Sequence, residues 1–111
     1  MRHGEALDAE VAKRESALTP ADRLDILFTS GTTGNPKGVV TGHGQNIRTF
    51  ETWSATVGLR CDDNYLIINP FFHSFGYKGG WLACLIHGAT ALPHGVFDVA
   101  DVLGRIQREK I

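Results

Sequence analysis

The sequence has few cysteines, no long apolar run and no excess of charge of either sign. Cys61 and Cys84 lack Cys-x-x-Cys spacing, which argues against a disulfide framework or a thiolate zinc site and favours two buried free thiols. The longest apolar runs, such as Tyr65 to Ile68, are far shorter than the roughly 20 residues that cross a bilayer. The net charge of -1 provides no field that would attract nucleic acid. No transmembrane segment and no nucleic-acid partner are therefore expected.

The first 17 residues carry little pattern. They are polar and alanine-rich, and predict either a loose helix or a disordered lead-in. No apolar segment follows the charged start of the chain, so no signal peptide is predicted and the cytoplasm is the expected location. With 111 residues, 42% of them hydrophobic, the chain can form one modest core. We expect one domain over residues 18–111.

Apolar segments alternate in a way that predicts an α/β fold. Strands are expected at Asp25–Thr29 and at Val39–Thr41, antiparallel to each other, with a glycine-rich loop at the tip of the hairpin. After the hairpin, we expect strand–helix–strand units whose crossover connections are right-handed. Their elements are a helix over Gln45–Val57 closed by Gly58, a buried parallel strand over Tyr65–Ile68, a helix over Lys78–Ile86 closed by His87-Gly88, a strand over Ala89–Leu92, and a helix capped by Asp98.

The alternation calls for another strand after the last predicted helix. A hairpin with only two crossover strands leaves apolar edges unpaired, and such edges favour self-association. The sequence is therefore expected to be part of a larger protein.

The loop between the first two strands has an unusual composition. It reads TSGTTGNPKG over residues 29–38. Glycines allow backbone N–H groups to approach a phosphate, hydroxyls donate to phosphate oxygens, and Lys37 adds a positive charge after the rigid Pro36. The order differs from the GxxxxGK[ST] loop of nucleoside triphosphatases. The alternative is a flexible polar hairpin loop without a ligand.

Two motifs carry a resemblance to a known family. The loop resembles the phosphate-binding loop of the adenylate-forming enzymes, which include acyl-CoA synthetases, peptide-synthetase adenylation domains and luciferases. The segment Asn69–Gly76, NPFFHSFG, is similar to the family's Pro-x-Phe-His segment. Val39–His43 resembles its Val-x-x-(Ser/Thr)-His continuation, with Gly42 where a hydroxyl is common. The resemblance covers about residues 18–111 and implies part of the family's large N-terminal domain. Within the family, the amino-acid sequence of these motifs is most similar to that of bacterial fatty-acyl or steroid-side-chain CoA ligases.

The resemblance implies a two-step reaction. A carboxylate attacks the α-phosphate of ATP to give an acyl-adenylate and pyrophosphate, and coenzyme A then takes the acyl group. His73 would be catalytic, beside the carboxylate and the α-phosphate, and Mg²⁺ would bridge phosphate oxygens without a protein metal site. The phosphate-binding residues implied are Thr29, Ser30, Gly31, Thr32, Thr33, Gly34, Asn35, Pro36, Lys37 and Gly38, and the acyl-pocket residues are Phe72, Phe75, Gly76 and Gly80.

Simpler structural roles compete for several of these residues. His73 could be a core histidine satisfied by a backbone carbonyl. His87 and His94 have neither metal-ligand spacing nor an expected carboxylate partner nearby, so structural or exposed roles are expected for both. Trp53 and Trp81 fall on predicted helices, where core packing is the better explanation.

Three functions therefore stay open from the sequence. The family's adenine-binding Tyr-Gly-x-Thr-Glu segment, ribose-binding aspartate, hinge and C-terminal lysine do not occur here. The first function is as part of an ATP-dependent acyl-CoA ligase, inactive by itself. The second is a non-catalytic nucleotide-binding module. The third is a structural remnant that pairs with another chain through its open sheet edge.

Overall fold

The computed structural model describes residues 2–30 and 34–111. They form two compact units, Met1–Gln45 and Asn46–Ile111, which are described in turn. Within the described residues, no helix is long and apolar enough to cross a membrane.

The first unit begins with a helix and continues into a hairpin. Helix α1 spans Arg2–Ala17, so of the two predicted states for the lead-in the structure has the helix. Strand β1, Arg23–Thr29, pairs antiparallel with strand β2, Lys37–Gly42. Thr29 lies opposite Lys37 at the last rung. The predicted hairpin is confirmed, and the glycine-rich loop is at its tip.

A hydrogen-bonded turn precedes the hairpin. The Asp22 carboxylate accepts hydrogen bonds from both the backbone N–H (2.6 Å) and the hydroxyl (2.8 Å) of Thr19. The carbonyls of Asp22 and Pro20 accept from the amides of His43 (3.0 Å) and Gly44 (2.9 Å). These acceptors satisfy amides in the first turn of helix α2, which a helix cannot satisfy internally. Helix α2 therefore begins at His43 and runs to Val57, two residues earlier than predicted.

The second unit is built on a parallel strand pair. Strand β3, Asn64–Ile67, pairs with strand β4, Thr90–Pro93. The parallel arrangement confirms the reading of the uninterrupted apolar run as a strand of a crossover unit.

The helix that connects the two strands differs from its prediction. A π-helix spans Phe75–Leu82 and continues directly into helix α3, Ala83–His87, so the helical segment begins three residues before Lys78. Two glycines allow this helical segment to lie close to strand β3 and to the residues that follow it. A Cβ on Gly80 would lie 2.7 Å from Cγ2 of Ile67, and one on Gly76 would overlap the carbonyl oxygens of Pro70 and Asn69. The α-helical spacing of apolar residues does not indicate a π-helix. Such helices are rare in proteins overall, and many of those known lie at functional sites.

Helix ends follow the sequence signals closely. The Asp98 side chain caps helix α4, Val99–Glu109, by accepting from the amide of Asp101 at 2.9 Å. Gly58 (φ 76°) and Gly88 (φ 72°) adopt the left-handed conformation that was predicted at helix C-termini.

The core of the second unit is small. Ile67, Ala83 and Cys84 are its buried hydrophobic residues in the described chain. Burial raises the pKa of the Cys84 thiol, which keeps it protonated and unreactive. Cys61 is exposed, so the expectation that both thiols are buried is wrong for that residue, because it lies in the turn after Gly58 rather than on a packed strand.

Candidate functional site

The glycine-rich loop is open wherever the structure describes it. Gly34 has a φ of 90°, which favours glycine, and no atom lies within 4 Å of the place where its Cβ would stand. The side chains from Asn35 to Lys37 are exposed. The predicted phosphate-binding residues Gly31, Thr32 and Thr33 lie outside the described residues. Backbone and side-chain groups on this part of the loop are thus accessible to a ligand.

The hairpin directs Lys37 from the end of strand β2. The Thr29 hydroxyl donates to the Lys37 carbonyl oxygen at 3.4 Å, across the last rung of the hairpin. Lys37 is exposed, and within residues 2–30 and 34–111 no carboxylate lies within ion-pairing distance of its ammonium. The charge is therefore available to an external anion.

Gly38 has a packing reason to be glycine. A Cβ at this position would lie 2.9 Å from Cγ2 of Ile26 on strand β1, closer than real Cβ contacts come. The absence of a side chain at Gly38 thus lets the hairpin close, independently of any ligand.

The chemistry of the described loop residues fits a polyphosphate. Ser30 contributes an exposed hydroxyl, Lys37 contributes an exposed cation, and the open backbone at Gly34 allows close approach. The described chain contains no cluster of three or more histidine, cysteine or acidic side chains that could hold a metal ion.

His73 is held in one orientation at the start of the π-helix. Its Nδ1 accepts a hydrogen bond from the backbone N–H of Phe75 at 3.2 Å. Its own amide donates to the Pro70 carbonyl at 3.0 Å, and its carbonyl accepts from the Tyr77 amide at 3.1 Å. Because Nδ1 acts as the acceptor, the neutral ring carries its proton on Nε2. His73 is exposed and its Nδ1 partner is an N–H, so the core-histidine alternative, with a backbone carbonyl as partner, is wrong.

The predicted acyl-pocket residues divide between two cavities. Phe72 is 88% exposed and lines a largely apolar cleft of about 500 Å³ at the carboxyl ends of strands β3 and β4, together with Pro93. Phe75 and Gly80 line a smaller cavity of about 220 Å³ beside strand β3. Gly76 lines neither of these two. The structure thus brings Phe75 and Gly80 together and separates Phe72 from them.

A further cleft of about 450 Å³ lies at the amino ends of the strands. Asp62, Asp63 and Lys110 contribute its charged groups, and it contains none of the predicted site residues. Ligands of open α/β sheets bind at the carboxyl ends of the strands. We therefore assign the candidate site to the end that carries Phe72.

Trp53 lies beside a predicted site residue. Its indole is 5.7 Å from the ring of Phe75 in an edge-to-face arrangement, 6.3 Å from Tyr65 and 6.5 Å from Phe50, measured between ring centroids. Helical spacing identified Trp53 as a packing residue, but it gave no signal that the partner would be Phe75. Trp81 is 42% exposed and stacks on Tyr77 at 5.7 Å.

His94 has a carboxylate neighbour that the sequence did not indicate. Its Nε2 is 3.5 Å from Oδ2 of Asp101, although the two are not aligned as a hydrogen bond. The contact arises because helix α4 folds back on the end of strand β4, where Arg105 also donates to the Pro93 carbonyl at 2.7 Å. Because such a pair forms across a loop, its two residues have no characteristic spacing in the sequence from which it could be predicted.

The fold and the loop together define an α/β protein of the adenylate-forming type, with a glycine-rich hairpin followed by crossover units. The family model described as "AMP-binding enzyme" matches residues 2–111. The chain belongs to the AMP-binding enzyme family.

Curated relatives carry the name 3-[(3aS,4S,7aS)-7a-methyl-1,5-dioxo-octahydro-1H-inden-4-yl]propanoyl:CoA ligase. The chain is 54% identical to the Mycobacterium tuberculosis protein over 106 residues, which are 96% of this chain and 21% of the relative. It is 50% identical to the Rhodococcus jostii protein over 103 residues, 93% of this chain and 20% of the relative. The chain thus spans about a fifth of the length of these relatives.

A solved structure has the same fold. It is the o-succinylbenzoate coenzyme A synthetase of Bacillus subtilis, in complex with ATP and magnesium ion. The match has a TM-score of 0.70 and 35% identity, and covers 78% of this chain and 18% of the solved chain.

Proposed function

We propose that this chain is part of an ATP-dependent carboxylate–CoA ligase. The parent protein would form an acyl-adenylate with release of pyrophosphate and then an acyl-CoA thioester. The observation that carries the proposal is the hairpin loop, whose described residues 29–30 and 34–38 are exposed and whose Lys37 ammonium lacks a carboxylate partner within the described chain. Membership of the AMP-binding family supports it. Because the chain spans about a fifth of the length of its relatives, we propose that the chain alone does not catalyse the reaction.

The loop would bind the β- and γ-phosphates. Ser30 and the hydroxyls of Thr32 and Thr33 would donate to phosphate oxygens, and Lys37 would add a charge-assisted hydrogen bond. Phosphoryl chemistry depends chiefly on positioning and on neutralisation of charge. Bound ATP would supply the adenylyl group, with Mg²⁺ held through phosphate oxygens.

His73 would act as a hydrogen-bond donor to the reacting groups. The amide of Phe75 occupies Nδ1, so the exposed Nε2–H is the donor available to an anionic oxygen. It would orient the substrate carboxylate or stabilise charge that develops at the α-phosphate.

The acyl group would lie at the carboxyl ends of strands β3 and β4. The cleft of about 500 Å³ is largely apolar, and Phe72 presents its ring there. This supports an apolar carboxylic acid as substrate. The names of the two relatives favour a steroid-derived propanoate over a fatty acid. Coenzyme A would be the acyl acceptor, and the cytoplasm, which provides ATP and coenzyme A, would be the location.

A segment exchange tests this function. The matching segment of the Mycobacterium tuberculosis ligase would be replaced by this chain, and ATP- and acid-dependent pyrophosphate release would be measured. We expect the chimera to retain activity. His73→Ala should slow acyl-adenylate formation while ATP binding persists, and His73→Gln, which keeps a donor, should lose less. A folded chimera without activity, or a His73→Ala variant with full activity, would contradict the proposal.

Exposed apolar residues on the hairpin favour a second candidate, association with another copy of this chain. Phe28 is 73% and Val40 is 53% exposed, and the sheet has only two strands, so its edges can pair with a second copy. Analytical ultracentrifugation would detect a dimer, and Phe28→Ser should weaken it. A dimer that fails to bind MgATP would favour this candidate over the ligase.

A further inference from the structure

We propose that Trp53 is a positioning residue that fixes the orientation of the His73 imidazole through Phe75. Trp53 lies on helix α2, Phe75 is the first residue of the π-helix, and His73 is two residues before it. The path runs from the Trp53 indole to the Phe75 ring, and from the Phe75 amide to the His73 ring.

The first step is the contact between the two rings. The Trp53 and Phe75 planes meet at 87° with centroids 5.7 Å apart, which is the favoured edge-to-face geometry. Gly79 limits the ring on the helix itself: a Cβ there would lie 3.1 Å from Cδ2 and Cε2 of Phe75. The Phe75 ring, 41% exposed, thus lies with its buried part against Trp53 and over Gly79.

The indole is itself held from a separate element. Tyr65 on strand β3 is 6.3 Å from Trp53, and Phe50, one helical turn earlier on α2, is 6.5 Å away. The position of Trp53 is therefore set by the strand and by its own helix. It can act as a fixed support for Phe75 rather than follow it.

The second step is the backbone hydrogen bond to His73. A fixed Phe75 ring restrains the Phe75 N–H, which donates to His73 Nδ1 at 3.2 Å. This bond is already near the long end of its range, so a small displacement of Phe75 would break it. The Nδ1 atom could then carry a proton, and the ring could turn. The role of this orientation in catalysis rests on the proposed function, but the tautomer of His73 can be observed whether or not that function is correct.

The test is nuclear magnetic resonance on the ¹⁵N-labelled 111-residue chain, at a pH where His73 is neutral. We expect wild-type ¹⁵N shifts of a single Nε2–H tautomer and a slowly exchanging Phe75 amide. Trp53→Ala should introduce the Nδ1–H tautomer and speed exchange of that amide about tenfold or more. Trp53→Phe, which keeps an aromatic edge, should restore most of the wild-type signature.

Trp81→Ala is the matched control. It removes a tryptophan from the π-helix that carries Phe75, but one that stacks on Tyr77 instead of Phe75, so the His73 tautomer should stay unchanged. A folded Trp53→Ala variant with the wild-type tautomer and exchange rate would overturn the proposal, as would an equal effect of Trp81→Ala.

A second variant decides the matter if Trp53→Ala unfolds. Gly79→Ala keeps the indole but pushes a methyl group against the Phe75 ring, so it should also release the His73 tautomer. If Gly79→Ala folds and keeps the wild-type tautomer and exchange rate, the proposal is wrong. Failure of the ligase function would appear instead as an inactive chimera with the His73 tautomer intact.

Discussion

The loop of the first unit exposes its chemical groups, whereas His73 in the second unit is oriented by its neighbours. Lys37 and Ser30 project from an exposed hairpin tip. His73 is bound at Nδ1, at its amide and at its carbonyl, all by groups within four residues of it. The candidate loop in the first unit thus relies on residue composition, whereas the candidate residue His73 in the second unit relies on packing.

This difference predicts different responses to mutation. Substitutions of exposed loop side chains such as Lys37 should change ligand binding and leave the fold intact, because few contacts are lost. Substitutions around the π-helix should change the fold and the geometry of His73 together, since the segment lies closely against neighbouring backbone.

The largest effect is expected for Gly76→Ala. The new Cβ would overlap the carbonyl oxygens of Pro70 and Asn69, and backbone atoms cannot move aside as a flexible side chain can. We expect a loss of about 3 kcal/mol in the free energy of unfolding, or failure to fold. Urea denaturation followed by tryptophan fluorescence measures it.

Gly95→Ala is the control for that experiment. No atom lies within 4 Å of the position of a Cβ at Gly95, so the change should stay within about 0.5 kcal/mol of wild type. Equal effects of the two substitutions would mean that the close approach at Gly76 is unimportant for stability.

An intermediate effect, on binding alone, is expected for Lys37→Ala. Loss of one charge-assisted bond to phosphate should cost about 1 to 3 kcal/mol, which corresponds to an increase of roughly 5- to 150-fold in the KM for ATP of the chimera. The melting temperature should not change, because Lys37 is exposed. Lys13→Ala, on helix α1, is the control. An unchanged KM would remove Lys37 from the phosphate site.

The smallest effect concerns Asp22 in the turn before the hairpin. The backbone hydrogen bond from Thr19, and then the bond from its hydroxyl, hold the pKa of this carboxyl below its ordinary value of 3.8. A depressed folded pKa contributes stability that is complete above the unfolded value and is lost as the pH falls through the folded value. Thr19→Ala should therefore raise the pKa part of the way towards 3.8, and Thr19→Ser should not. A ¹³C titration of Asp22 that is identical in both variants would contradict this.

Elements with local signals were predicted well from the sequence. The hairpin followed from an apolar run and a β-branched run on either side of a glycine-rich loop, and strands β3 and β4 followed from apolar runs separated by a crossover. Asp98 was identified as a helix cap because an N-cap needs only its own side chain and an amide three residues later.

Features that depend on contacts distant in sequence were not predicted. The π-helix requires glycines to meet backbone and Ile67 from an earlier strand, which α-helical periodicity does not indicate. The contacts of Trp53 with Phe75, and of His94 with Asp101, form only once helices fold against strands. The proton position on His73 likewise depends on a backbone amide rather than on residue type.

The most direct test of the account is a calorimetric titration of MgATP into the 111-residue chain, with circular dichroism on the same samples. If the hairpin loop can bind phosphates without the rest of the parent protein, the folded chain should bind MgATP weakly but saturably. Lys37→Ala should abolish that binding, and His73→Ala should leave it almost unchanged. A folded chain that does not bind, or equal losses from the two substitutions, would contradict the division between an autonomous loop and a packing-dependent histidine.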